Sequence, residues 1–104
     1  MNIIGLQMAI QEQRIEWRKH MLQRLAERGI LQQEVLDVLR TGELIEDYPD
    51  DEPYPSALFL AFPAGRPLHV VAAFDENERR AYMISVYQPS LEFFELDYKT
   101  RKSP

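Results

Sequence analysis

The chain has 104 residues, 45% of them hydrophobic and 28% charged, with no cysteine. That length supports one domain with a small core, and the missing cysteines exclude disulfide frameworks, thiol nucleophiles and cysteine-bound zinc. The net charge of −5 argues against nonspecific nucleic-acid binding by the molecule as a whole, and no apolar run reaches the roughly 18 residues that a membrane span needs.

Ile3, Ile4, Leu6, Met8 and Ile10 predict a short, weakly amphipathic helix that ends near Gln11–Gln13. Gly5 inside it costs about 1 kcal/mol relative to alanine. No basic leader precedes this apolar stretch and Gln7, Gln11, Glu12 and Gln13 soon follow, so it is not expected to be a signal peptide. A soluble, cytoplasmic domain is the expectation. Arg14–Ile15–Glu16–Trp17 alternates polar with apolar, the pattern of a brief strand against the core. From Arg18 to Arg28 the period lengthens: Met21, Leu22, Leu25 and Ala26 form a helical apolar face, and Gly29 is placed to stop the helix in a left-handed cap, with Ile30 packing back on it. Leu31 to Leu39 predicts a further helix with Val35, Leu36 and Leu39 inward, ended by Thr41–Gly42.

Leu44 and Ile45 begin a strand that gives way to a polar loop at Pro49–Pro55. The rest reads as an antiparallel meander: strands at 56–62, 68–74 and 81–87, with turns at 63–67 and 75–78. The near-continuous apolarity of 68–74 places that strand centrally, covered on both faces. Pro89 breaks the last strand, and Leu91, Phe93, Phe94 and Leu96 are expected to lie over the sheet. Helices followed by strands make an α+β domain spanning 1–104, with N-terminal helices packed on a curved antiparallel sheet of about four strands.

Charge is polarised along the chain. Arg14 to Arg28 holds five bases (Arg14, Arg18, Lys19, Arg24, Arg28) against Glu16 and Glu27, whereas Glu43 to Glu52 holds six acids and no base. Lys99, Arg101 and Lys102 return the chain to positive. This pattern fits either ordinary solvated faces or a basic face for a phosphate-bearing or acidic partner.

Two groups of residues can carry chemistry. His20, Arg24 and Arg28 recur every four residues and so form one shallow helical stripe, a proton donor or acceptor beside fixed phosphate-binding charge. Glu16, four residues before His20, and Glu27, three after Arg24, offer ordinary helix ion pairs as the competing explanation. His69 lies in the most apolar strand and must be hydrogen-bonded or neutral there. Strand alternation puts it with Val71 and Ala73, and puts Ser85 with Tyr87. A register pairing His69 with Tyr87 gathers an imidazole, a phenol and a hydroxyl on one surface, and a slip of one residue separates them. Two histidines 49 residues apart give no metal-ligand spacing, and four isolated glycines build no phosphate loop. No metal and no cofactor is expected.

The blocks His20–Ile30, Gly42–Pro49, Tyr54–Leu58, Pro67–Val71, Val86–Pro89 and Asp97–Lys102 resemble, in this order, a family of short bacterial and archaeal proteins known as a domain of unknown function. That family is similar to the RelE/ParE and MqsR toxins. The resemblance implies a RelE-like fold, a toxin of a toxin–antitoxin pair, and metal-independent mRNA cleavage by attack of a ribose 2′-hydroxyl on the adjacent phosphate. It also implies a nearby antitoxin of zinc-ribbon or helix-turn-helix type. His20, Arg24, Arg28, His69 and Tyr87 match the family's polar motif positions. For a nuclease we assign them roles of our own: His20 or His69 as general base or acid, Arg24 and Arg28 on the phosphorane, and Tyr87 orienting the phosphate. The competing expectation is a non-catalytic interaction module or homodimer using Ile3–Ile10 or Phe93 and Phe94. The nuclease mechanism requires the basic helix edge and the polar sheet patch to meet.

Overall fold

The computed structural model describes residues 1–103. The helices are α1 (Ile3–Gln11), α2 (Lys19–Arg28) and α3 (Gln32–Thr41). The strands are β1 (Ile15–Trp17), β2 (Glu43–Tyr48), β3 (Ser56–Ala61), β4 (Leu68–Asp75) and β5 (Arg80–Tyr87). They form one open sheet in the order β1-β5-β4-β3-β2. The α+β class and the central place of β4 stand as the sequence implied. The strand number does not: there are five strands, and β1 runs parallel to β5 while every other neighbour is antiparallel. Three residues are too few to reveal a pairing partner by periodicity. The parallel direction follows from packing: Ile15 and Trp17 lie against the core, and the chain runs on directly into α2, which packs along β5.

All three helices contribute to one face of the sheet. Leu6 and Ile10 of α1, Met21 and Leu25 of α2, and Val35, Val38 and Leu39 of α3 share a core with Ala57, Phe59, Leu68, Val70, Ala72, Phe74, Ala81, Met83 and Val86. Each fully buried aliphatic side chain there contributes about 1.5–3 kcal/mol relative to exposure. The alternate residues of β4, His69, Val71 and Ala73, point to the opposite face. A bulge between Val71 and Ala72 lets β5 keep both faces in phase: Ala72 pairs with Met83, while Val71 pairs with Ser85 and His69 with Tyr87.

Two glycines fix where helices end. Gly29 adopts φ +65° and closes α2, its N–H bonding back into the last turn. Gly42 joins α3 to β2 where a Cβ would stand 2.3 Å from the Val38 carbonyl oxygen and 2.8 Å from that of Leu60. Helix and strand backbones approach each other too closely there for any side chain. At the start of α3, the Leu31 N–H donates to the Glu34 carboxylate at 2.9 Å, and Arg66 from the β3–β4 turn pairs with the same carboxylate.

Residues 90–103 depart from the expectation. Of their large apolar side chains only Phe94 is buried, whereas Leu91, Phe93 and Leu96 are exposed. This segment has no regular strand, only an isolated bridge between Phe94 and Arg101. It crosses the sheet face away from the helices, held by Phe94 and by polar contacts.

Candidate functional site

The five sequence-selected residues fall into two groups on opposite sides of the sheet. His20, Arg24 and Arg28 lie on α2, whose buried residues Met21 and Leu25 face the helix-side core. His69 and Tyr87 lie on the other face. The sheet stands between the two imidazoles, so the expected single pocket does not form, and no phosphate can touch both.

His69 is wholly buried. Its Nε2 lies 2.7 Å from the Tyr98 carbonyl oxygen, which can only accept, so Nε2 carries the proton. In the neutral ring Nδ1 is then an acceptor, and it receives the Tyr87 hydroxyl at 3.2 Å. Phe94 packs edge-on against the imidazole at 4.7 Å between centroids. Burial holds the His69 pKa below its ordinary value; the Tyr98 carbonyl and the Glu46 charge oppose that shift, and Arg101 adds to it. Both nitrogens are satisfied and the ring is neutral.

Around this pair the structure gathers residues that the sequence reading did not single out. Glu43, Leu60, His69 and Tyr87 form one row across β2, β3, β4 and β5. Glu46, opposite Leu58 two rows on, accepts two hydrogen bonds from Arg101 at 2.8 and 3.0 Å, and it also accepts from the Tyr48 hydroxyl. The Arg101 hydrogen bonds lower the Glu46 pKa, against a smaller opposing effect of burial. Lys99 pairs with Glu43 at 3.1 Å. The signal was present as two complementary runs, the acids of 43–52 and the bases of 99–102. Only the fold shows that they meet.

The α2 group is built differently. Of the twelve lysines and arginines, half form ion pairs among the described residues, but Arg18, Lys19, Arg24 and Arg28 have no carboxylate within 4.0 Å. The helix pairs proposed from spacing do not form: Glu16 turns to Arg80, and Glu27 engages neither Arg24 nor any other base. The first turn of α2 has no acidic residue and its N-cap, Arg18, makes no side-chain cap bond. Cations at the positive end of a helix cost stability, a local conflict of the kind found where a surface is kept for another purpose.

Arg28 has a structural duty as well. β1 covers β5 only from Ala81 to Met83, which leaves the outer edge of β5 open beyond. Arg28 Nη1 donates to the Val86 carbonyl there at 2.6 Å. We expect Arg28→Ala to cost about 1 kcal/mol in chemical denaturation, and Arg24→Ala, which removes no contact, to leave stability within about 0.5 kcal/mol. Equal costs for the two would contradict this division.

The acidic strand lies at the far edge. Three interstrand steps separate β2 from β5, about 14 Å, and Lys99 and Arg101 already neutralise Glu43 and Glu46. An anionic chain on α2 therefore meets the basic part of the molecule, whatever the net charge.

The molecule is thus an α+β domain with an unneutralised cationic helix on one side and a polar clamp on the other. The chain belongs to the DUF4258 family, a domain of unknown function, which matches residues 17–88. The match begins at the end of β1 and closes just after β5; α1 and residues 90–103 lie outside it. No curated protein and no solved structure matches the chain.

Proposed function

We propose that this protein binds single-stranded RNA along α2 and cleaves it without metal, as a RelE-like toxin of a toxin–antitoxin pair. The observation that carries the reading is the set of four cations on one helix with no carboxylate partner, beside an exposed histidine. Arg24 and Arg28 hold consecutive phosphates, about 6 Å apart along the helix. His20 takes the proton of a ribose 2′-hydroxyl as its oxygen attacks the adjacent phosphorus. The bond to the 5′-oxygen breaks, a 2′,3′-cyclic phosphate forms, and the leaving oxygen takes a proton from water. Arg24 and Arg28 carry the charge that gathers on the phosphorane. The mechanism expected from the sequence needed the helix edge and the sheet patch to meet, and they do not. The reaction proposed here therefore draws on α2 alone, and His69 and Tyr87 lie outside it as the hydrogen-bonded pair of the opposite face.

Titration of a fluorescent single-stranded RNA at several salt concentrations tests the binding half. With four phosphates neutralised, log K is expected to fall with log salt at a slope of about −3, and each of Arg18→Ala, Lys19→Ala and Arg24→Ala should reduce the slope by about 0.7. A slope near zero overturns the reading. The second reading, a non-catalytic interaction module, draws on Ile4 and Met8 of α1, exposed at 72% and 46%. Normal growth and intact mRNA on expression, together with a dimer in light scattering, would select it.

A further inference from the structure

We propose that the sheet face away from the helices is a docking site for an extended segment that pairs an aromatic residue with an arginine, and that residues 90–103 occupy it as a displaceable strap. What lies beneath the strap is a built polar surface. The Nε2–H of His69 has one partner, the Tyr98 carbonyl of the strap. The Glu46 carboxylate receives the Arg101 guanidinium through two hydrogen bonds, and Glu43 receives Lys99. Phe94 fills the space against the imidazole, and the Arg101 guanidinium lies 5.0 Å from the centre of the Phe94 ring. The groups on the sheet therefore define their ligand by complementarity: a backbone carbonyl for the imidazole, a planar ring beside it, and a guanidinium stacked on that ring and forked onto a carboxylate.

The strap itself is held lightly. Its single buried large apolar side chain is Phe94, the Lys99–Glu43 pair is exposed and the Arg101–Glu46 pair half-exposed, and Leu91, Phe93 and Leu96 stay 40%, 61% and 83% exposed in the closed position. Exposed ion pairs weaken with salt. A partner segment of the same pattern would compete with the strap for the same groups, and its arrival would bare Leu91, Phe93 and Leu96 further.

The test uses the full chain and a labelled synthetic peptide with the sequence of residues 90–103. Diethyl pyrocarbonate modification, read by mass spectrometry, should label exposed His20 and spare His69 in the wild type. In Arg101→Ala, His69 should become at least tenfold more reactive while His20 is unchanged, and the peptide should bind. Adding Glu46→Gln should weaken that binding at least tenfold. Phe94→Ala gives a second opening variant, and circular dichroism confirms that each variant keeps the fold. If Arg101→Ala unfolds, the wild type at 1 M salt replaces it, with the same increase in His69 reactivity expected. His69 protection that persists in the folded variants and at high salt overturns the proposal, as does an exposed His69 with no peptide binding.

Discussion

Replacing His20 by alanine is expected to lower RNA cleavage by about 10²–10⁴, the usual loss when a general base is removed, with unfolding free energy unchanged within about 0.5 kcal/mol. The stability half rests on the position of the side chain: His20 is exposed on α2, and no hydrogen bond or ion pair holds it among the described residues. The activity half rests on the bases around it. Arg24→Ala should raise KM and flatten the salt dependence and also lower kcat, because it removes a phosphate contact that is present on binding and strengthens as charge gathers on the phosphorane. His20→Gln, which keeps a hydrogen bond without a base of useful pKa, should cleave no better than His20→Ala. The assay is single-turnover cleavage of a labelled RNA, with growth after induced expression as the cellular counterpart. Cleavage by His20→Ala at the wild-type rate would remove His20 as the base and leave only the binding surface of the proposal.

These expectations depend on charge being sorted by edge rather than averaged. A chain of net charge −5 repels a polyanion only at distances where its charges blend, and the Debye length at physiological salt is about 8 Å. β2 lies beyond that distance from β5, and two of its carboxylates are engaged by Lys99 and Arg101. Close to α2, Arg18, Lys19, Arg24 and Arg28 outweigh Glu27, the one acid of the helix.

Features with local causes were legible in the sequence. The period of Met21 and Leu25, the cap at Gly29, the apolar run of β4 and the alternation of β5 each follow from side chains a few residues apart. The pairing of His69 with Tyr87 was one of two open registers. The bulge at Val71/Ala72 decides it, and a bulge leaves no mark in the hydrophobic pattern. Features with distant causes were not legible. The direction of β1 depends on where α2 packs, and the Glu46–Arg101 pair joins residues 55 positions apart. The expectation that a cationic stripe and a histidine strand would share a pocket failed for a related reason. A strand covered on both faces gives no sequence sign of which face its histidine takes.

His69 gives the largest expected effect on the fold. Replacing it by leucine should cost about 2–4 kcal/mol, because the Tyr98 carbonyl loses its donor and the Tyr87 hydroxyl its acceptor in a buried setting. Alanine should cost about 3–5 kcal/mol, since a cavity under Phe94 adds to that loss. The pH dependence carries a separate signature. The unfolded chain takes up a proton on this ring near pH 6.5, while burial holds the folded value lower. Between those two values the unfolded state binds more protons, so the stability due to neutral His69 is complete above about pH 6.5 and declines as pH falls toward the folded value. Carboxylates whose folded pKa lies below the ordinary value, Glu46 and Glu34 among them, lose their contribution only at lower pH, below about 4.5. Urea unfolding at pH 8, 7, 6 and 5 should show wild type losing stability from about pH 6.5 downward and His69→Leu holding nearly level over the same interval. Parallel curves for the two proteins would mean that the folded ring takes up a proton as readily as the unfolded one, and the Tyr87 hydroxyl would then have to turn to accept from Nδ1–H, while the Tyr98 carbonyl accepts from Nε2–H in either state. RNA affinity per folded molecule should be the same in both, because the ring faces away from α2.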